Sequence, residues 1–124
     1  MTKRVLIVED EENILELLSA IFEDLGDYRI LCVRDGEDAL RIARTDNPDI
    51  IMLDIRLPKL NGYEVCKSVK SNSAMSHIKV LMISGMAQNF DRQKAQEAGA
   101  DGYITKPFSL IELVEKVEGL LGSN

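Results

Sequence analysis

The sequence predicts an α/β protein in which a parallel sheet is covered by helices on both faces. Short aliphatic runs alternate with amphipathic segments five times along the 124 residues. Most of these runs lack polar–apolar alternation, which is typical of strands that are buried on both faces. The segments between them repeat apolar residues at helical spacing. Strands and helices that alternate in this way form a parallel sheet through right-handed crossovers.

The first half of the chain contains three predicted strands and two predicted helices. The apolar stripe over residues 14–25 predicts a broad amphipathic helix, which Gly26 can close at its C′ position. Asp35 can cap a second helix, which ends at the Asn47-Pro48 pair. The predicted strands are residues 5–8, 30–33 and 50–53.

The second half contains two predicted strands and three predicted helices. Asn61 and Glu64 resemble a capping box that opens the third helix, and Ser109 and Glu112 form another that opens the fifth. A weaker helix is predicted over residues 90–98. The predicted strands are residues 80–83 and 103–104.

Length and composition limit the class of protein. The chain is long enough for one domain with a substantial core, so residues 1–124 are interpreted as a single domain with its core at 3–121. A net charge of −6 without a Lys/Arg run disfavours binding to nucleic acid or to an anionic membrane. No signal peptide or membrane-spanning run is visible, so we expect a cytoplasmic protein. Cys32 and Cys66 are interpreted as buried thiols in a reducing compartment.

Three carboxylates directly follow two of the aliphatic strands. Glu9 and Asp10 follow residues 5–8, and Asp54 follows residues 50–53. The carboxyl ends of parallel strands meet at one sheet edge, where open α/β sheets bind their ligands. Like charges gathered there repel each other, so the site requires a cation or a proton. Oxygen ligands suit Mg²⁺, and the absence of a suitable His or Cys cluster in the sequence disfavours zinc.

Two further strand ends add a hydroxyl and an amine. Ser84 follows residues 80–83, and Lys106 follows residues 103–104. With a metal ion, they could neutralise the oxygens of a transferring phosphoryl group, and Asp54 is then a plausible nucleophile. Taken alone, the Glu9-Asp10 pair, Ser84 and Lys106 each have an ordinary alternative role, as helix-terminal acids, a loop hydroxyl and a solvated lysine. Asp54 is less easily explained in this way, because Arg56-Leu57-Pro58 follows it and no helix begins there. Their combination on one sheet edge favours phosphoryl chemistry.

The chain resembles the receiver domains of bacterial and archaeal two-component response regulators, the chemotaxis-regulator-like superfamily. The matching motifs occur in the family's order, and the resemblance extends over essentially residues 3–121; the motifs are residues 5–11, 52–58, 61–62, 80–85 and 98–108. The resemblance implies a flavodoxin-like (βα)5 three-layer sandwich with a five-stranded parallel sheet in the order 2-1-3-4-5.

The resemblance also assigns roles to the residues at the strand ends. Asp54 resembles the phosphoacceptor, which becomes a 4-aspartylphosphate when a histidine kinase or a phosphotransfer protein donates a phosphoryl group. Ser84 and Lys106 resemble the pair that holds the phosphoryl oxygens. The implied ligands of Mg²⁺, or alternatively Mn²⁺, are Glu9, Asp10, Asp54 and the backbone carbonyl of Arg56.

A partner-binding surface follows from the same resemblance. Tyr103 resembles the aromatic switch that turns inward when Ser84 moves, although an ordinary half-buried strand aromatic is the alternative. The implied surface comprises the fourth helix, fifth strand and fifth helix, and it binds a downstream protein rather than nucleic acid or a membrane. The implied role is a phosphorelay switch and not an enzyme, with any output domain outside this chain. The Lys106-Pro107 bond is expected to be cis.

Three rival functions stay open. An aspartyl-phosphate hydrolase would use an Asp-x-Asp pair after the first strand, whereas Asp54-Ile55-Arg56 lies on the third and has a base as its last member. In a flavodoxin-like cofactor site, the acids Glu9 to Glu12 would repel the cofactor phosphate. A receiver-like scaffold that never accepts phosphate is the third rival, and the complete acid, hydroxyl and lysine set argues against it.

The sequence also departs from the family pattern. Glu9 is longer than the Asp often found at the first acidic position, and Ser84 stands where Thr is common. Arg56 and Met86 flank the site and are expected to tune the lifetime of the phosphoryl group. The lone His77 is expected to be a surface residue.

Overall fold

Five strands and five helices alternate in the computed structural model, which describes residues 2–85 and 89–122. Every predicted element is present, and most extend one to three residues beyond the predicted limits. The strands are β1 (Lys3–Val8), β2 (Tyr28–Val33), β3 (Ile50–Asp54), β4 (Lys79–Ser84) and β5 (Gly102–Thr105). The helices are α1 (Glu12–Leu25), α2 (Gly36–Asp46), α3 (Gly62–Ser71), α4 (Asn89–Glu97) and α5 (Leu110–Leu121).

The strands form one parallel sheet in the order β2-β1-β3-β4-β5, which confirms the predicted flavodoxin-like fold. One face of the sheet packs against α1 and α5, through residues such as Phe22 and Val117. The opposite face packs against α2, α3 and α4, through residues such as Ala39, Val65 and Ala95. Successive side chains of a central strand pack on opposite faces of the sheet. Because both faces are covered by helices, β1 and β3 need apolar residues at successive positions.

One prediction about the two cysteines is wrong, because β2 is the outermost strand of the sheet. Cys66 is buried as expected, and burial raises the pKa of its thiol to about 11. The prediction that Cys32 is buried is wrong, because this residue is exposed on β2. An edge strand has a neighbour on one side only, so its side chains are less completely covered than those of β1 and β3. Both thiols are free.

Side-chain caps begin three of the helices as the sequence predicts. Asp35 accepts a hydrogen bond from the Asp38 N–H at 2.8 Å. Ser109 accepts one from the Glu112 N–H at 3.0 Å. The complete capping box is at α3, where Asn61 accepts from the Glu64 N–H at 3.0 Å and Glu64 accepts from the Asn61 N–H at 3.3 Å. In the described ranges, no helix has both the length and the apolar character that crossing a bilayer requires.

A partly exposed ion pair joins the ends of three elements at the amino-terminal end of the sheet, opposite the strand-end acids. The Lys70 ammonium, near the end of α3, lies 2.7 Å from Asp101 Oδ2 and 2.7 Å from the Ile78 carbonyl oxygen. Asp101 Oδ2 also accepts from the Val80 N–H at 2.8 Å. The pair therefore ties α3 to the starts of β4 and β5.

We expect Lys70→Met to lower the free energy of unfolding by about 1–3 kcal/mol, because it leaves the Asp101 carboxylate without its cation in a partly buried position. Urea denaturation followed by circular dichroism measures this change. Lys67→Met, on an exposed part of the same helix, is the matched control and should change stability by less than about 0.5 kcal/mol. Equal effects of the two substitutions would contradict the assigned role of the ion pair.

Candidate functional site

The carboxyl ends of β1, β3, β4 and β5 bring the predicted site residues to one cavity. This cavity has a volume of about 520 Å³. Its walls include five of the predicted site residues, namely Asp10, Asp54, Arg56, Ser84 and Lys106, together with Glu11, Ile55 and Gly85. Glu9 is placed differently: only 1% of it is exposed, and it lies behind the cavity wall.

The register of the parallel strands brings two acids together. Val8 of β1 pairs with Leu53 of β3, so the next residues, Glu9 and Asp54, lie side by side. Both are buried. Burial, followed by a hydrogen bond to Asp54, raises the pKa of Glu9 from its ordinary value of 4.5 to about 7. The structure thus has more negative charge at this edge than its interior readily accommodates.

Lys106 supplies the positive charge that partly neutralises these acids. Its Nζ lies 3.1 Å from Asp54 Oδ2 and 3.4 Å from Glu9 Oε1. Burial acts to lower the pKa of Lys106, but the hydrogen bonds and charges of Asp54 and Glu9 outweigh it, so the net shift is upward. The backbone N–H of Lys106 donates to the Ser84 carbonyl at 2.7 Å, which joins the ends of β4 and β5. The Lys106-Pro107 peptide bond is cis, as predicted.

Backbone hydrogen bonds of the loop after β3 fix the position of Asp54. Asp54 Oδ1 accepts a hydrogen bond from the Arg56 N–H at 3.0 Å, and the Gly62 N–H donates to the Ile55 carbonyl at 2.8 Å. A Cβ atom at Gly62 would lie 2.7 Å from the Ile55 Cα, closer than real Cβ atoms come to backbone. Glycine is therefore required where α3 begins, directly against the loop that carries Asp54.

The donor set of the cavity suits Mg²⁺. Asp10 and Asp54 line its wall beside Arg56, and Mg²⁺ characteristically takes one or two carboxylates and completes its octahedron with waters. Within residues 2–85 and 89–122, no three His, Cys, Asp or Glu side chains already form a metal-binding group. The excess negative charge at Glu9 and Asp54 is the feature that a divalent cation would relieve.

The remaining predicted residues lie around this centre. Tyr103 is half-buried beside the core, with the Arg92 guanidinium 5.5 Å from its ring centroid. His77 is exposed, which confirms its surface position. Met86 lies outside the described residues.

Sequence reasoning missed a second depression next to the cavity. Tyr63 and Lys94 line it together with Asp10, Ile55, Arg56, Leu57 and Asn61. Lys94 Nζ lies 5.3 Å from the Tyr63 ring centroid, a cation–π contact between α4 and α3. No local pattern predicts this contact, because the two residues are far apart in the sequence.

A parallel five-stranded α/β sandwich with acids, a serine and a lysine at one sheet edge is the arrangement that the resemblance to receiver domains implies. The family described as response regulator receiver domain matches residues 5–118 of the chain. The chain belongs to this family of signalling switches, and the predicted family and fold are confirmed.

Curated relatives and solved structures agree with this assignment. The chain is 43% identical over 121 residues to the alkaline phosphatase synthesis transcriptional regulatory protein PhoP of Bacillus subtilis, covering 98% of this chain and 49% of that protein. It is 37% identical to the polar-differentiation response regulator DivK of Brucella ovis, covering 98% of each. The chain therefore spans about half the length of the first relative and nearly all of the second.

Two crystal structures extend the comparison to three dimensions. A response regulator from Chloroflexus aurantiacus superposes with a TM-score of 0.93 at 30% identity, covering 98% of this chain and 99% of that one. The receiver domain of a sensor histidine kinase from Pseudomonas aeruginosa superposes with a TM-score of 0.90 at 30% identity, covering 99% of this chain and 100% of that one. That structure has a magnesium ion coordinated in its active-site cleft. Receiver domains of this family bind Mg²⁺ and interact with histidine kinases and downstream targets.

We expect Glu9→Gln to stabilise the metal-free protein by about 1–2 kcal/mol at pH 8. The folded-state pKa of Glu9 lies above its ordinary value, so the folded protein binds the extra proton. Wild-type stability should consequently fall as the pH rises through the interval between 4.5 and about 7. The glutamine amide can donate to Asp54 at any pH, so the variant should lack this part of the pH dependence.

Urea denaturation at several pH values tests this expectation, with the exposed Glu16→Gln as the control. Addition of Mg²⁺ should reduce the difference between Glu9→Gln and wild type, because a bound cation favours the ionised acid. A glutamine variant that is less stable than wild type at pH 8 without metal would contradict the assigned charge excess.

Proposed function

We propose that this receiver domain is a phosphorylation switch in which Asp54 accepts a phosphoryl group from a histidine kinase or a phosphotransfer protein. The observation that carries the proposal is the Lys106 ammonium, 3.1 Å from Asp54 at the mouth of a strand-end cavity. An ammonium group in this position can form an ion pair with the carboxylate and then with the oxygens of an incoming phosphoryl group.

The chemical step uses one oxygen of Asp54 as the nucleophile. It forms a bond to phosphorus while the bond from phosphorus to the donor's nitrogen breaks and leaves its electron pair on that nitrogen. The hydrogen bond from the Arg56 N–H to Oδ1 orients the carboxylate for this attack. Lys106 and the Ser84 hydroxyl would then hold the phosphoryl oxygens, since both residues line the same cavity.

The residues that would hold Mg²⁺ are Asp10 and Asp54 on the cavity wall, the Arg56 carbonyl beside them, and Glu9 behind them. When bound, the metal would neutralise part of the combined negative charge of the phosphoryl group and these carboxylates. Because Glu9 lies behind the wall, we assign it an indirect contact with the metal. Mn²⁺ has the same preference for oxygen ligands and would substitute.

The conformational change would be transmitted from the cavity to the surface through β4 and β5. Ser84 pairs with Thr105 in this parallel ladder, and Met82 pairs with Tyr103. Movement of Ser84 toward a phosphoryl group would change the space available to the Tyr103 ring. The surface of α4, β5 and α5 would then change its affinity for a downstream protein. This role is that of a cytoplasmic switch without turnover of an external substrate.

We expect incubation with acetyl phosphate and Mg²⁺ to add one phosphoryl group to the wild-type protein, detected by intact-mass spectrometry. Asp54→Ala should reduce this labelling to background, and chelation of the metal by EDTA should do the same. Lys106→Met, which keeps the aliphatic stem, should slow labelling by about ten-fold or more, as expected when a positioned charge is lost.

The exposed Asp27→Ala is the matched control for loss of an aspartate and should label at the wild-type rate. Labelling that persisted in Asp54→Ala would sink the phosphoacceptor assignment. Steady release of phosphate from simple phosphate esters would instead favour the rival hydrolase.

A further inference from the structure

Three consecutive residues at the junction of β2 and α2 contact two of the loops that carry the proposed Mg²⁺ ligands. They are Arg34, Asp35 and Gly36, and none of them lines the phosphoacceptor cavity. One of the two loops joins β1 to α1 and carries Asp10, and the other joins β3 to α3 and carries Arg56. The β2–α2 junction therefore lies outside the cavity but is connected to both of these loops.

The contact with the first loop is a hydrogen bond from Arg34. Its guanidinium Nη2 donates to the backbone carbonyl of Asp10 at 3.0 Å. Beside it, the Glu9 N–H donates to the Val33 carbonyl at 3.1 Å, so β1 and β2 stay paired up to the residue before Asp10. A hydrogen bond from a charged donor is stronger than one between neutral groups. It fixes the backbone from which the Asp10 side chain reaches the cavity wall.

The contact with the second loop is made by the backbone of Gly36. The Gly36 N–H donates to the Pro58 carbonyl at 3.3 Å. A Cβ atom at position 36 would lie 2.6 Å from the Leu60 Cβ and would also collide with the Leu60 carbonyl oxygen. Only a residue without a side chain therefore lets α2 begin directly against this loop.

The turn between these contacts has an unusual backbone conformation. Lys59 has a φ of 70°, in the left-handed region, and such a residue persists there only where the surrounding structure holds it. The Leu60 N–H donates at 2.8 Å to the same Pro58 carbonyl that accepts from Gly36. The Lys59 ammonium lies 3.6 Å from Asp35 Oδ2, but more than half of the lysine side chain is exposed, so this ion pair adds little. The backbone contact at Gly36 is therefore the main link.

We propose that the β2–α2 junction fixes the relative position of the two loops that hold Mg²⁺, with Arg34 and Gly36 as positioning residues. Arg34 acts on Asp10, and Gly36 acts on the loop that carries the Arg56 carbonyl. Mg²⁺ requires nearly ideal octahedral geometry, so displacement of either loop lowers its affinity. This inference rests on the proposed function, because it takes Asp10 and the Arg56 carbonyl as metal ligands.

Electrostatics and positioning predict opposite results for the loss of Arg34. If charge alone matters, removal of a positive charge near a cation site strengthens cation binding. If Arg34 positions Asp10, its removal weakens binding instead, because loss of a group that orients a metal ligand typically lowers affinity by about ten-fold or more. The sign of the change in Mg²⁺ affinity therefore distinguishes the two roles.

The test titrates Mg²⁺ alone into the full chain and measures its dissociation constant by isothermal titration calorimetry. We expect Arg34→Met to raise the dissociation constant by about three-fold or more, and Gly36→Ala by about ten-fold. The shift is smaller for Arg34→Met because the lost positive charge partly offsets it.

Each variant has a matched control. Arg29→Met removes an exposed arginine near the start of β2, at the end of the strand away from the cavity. Gly119→Ala adds a methyl group to a helix at a position where a Cβ meets open space. Both controls should bind Mg²⁺ within about two-fold of wild type.

Urea denaturation without metal measures stability in parallel, because a merely structural role would lower stability and leave Mg²⁺ affinity unchanged. Circular dichroism verifies folding, and the exposed position of Arg34 keeps the test decisive if Gly36→Ala does not fold. An unchanged or lowered dissociation constant in Arg34→Met would overturn the proposal, and so would an equal rise in Arg29→Met.

Failure of the proposed function itself has a different signature. Wild type would then bind Mg²⁺ no more tightly than Asp54→Ala does, and acetyl phosphate would not label Asp54. That result would overturn both proposals, whereas normal Mg²⁺ binding and labelling in wild type with unaffected binding in Arg34→Met would overturn only the positioning role.

Discussion

The site depends on one constraint, the burial of two neighbouring carboxylates against a single lysine. Glu9 and Asp54 are adjacent because β1 and β3 pair in parallel register, and Lys106 reaches both from the end of β5. Burial of Glu9, followed by its hydrogen bond to Asp54, raises its pKa to about 7, although Lys106 lies close to both acids. Two carboxylates beside one ammonium leave an excess of negative charge at the cavity, which a divalent cation would relieve.

The sheet topology is what brings these charges together. With the strand order β2-β1-β3-β4-β5, the three inner strands and β5 end at one edge of the sheet, although Glu9 and Lys106 are 97 residues apart in sequence. The apolar faces of α1 and α5 on one side, and of α2 and α3 on the other, hold the sheet that positions the charges. The opposite edge is secured separately by the Lys70–Asp101 ion pair.

The molecule also separates its charge between surfaces. The acidic excess lies on α1 and α5, whereas α3 and α4 carry bases such as Lys67 and Arg92 together with acids such as Glu64 and Glu97. Contacts of Arg92 with Tyr103 and of Lys94 with Tyr63 join α4 to its neighbours through cation–π geometry.

The sequence by itself determined the fold class, the order of the elements and the residues at the strand ends. Aliphatic runs, helical stripes and caps such as Asn61 are local signals, and a polar residue after a buried run is visible without coordinates. Tertiary structure alone decided that Glu9 lies behind the cavity wall, that Cys32 is exposed on an edge strand and that Tyr63 meets Lys94. It also decided that exposed residues of α1 and α5 form one groove. These features depend on which elements become neighbours in the fold and in which register they pack. Contacts between residues that are distant in sequence leave no local pattern from which they could be predicted.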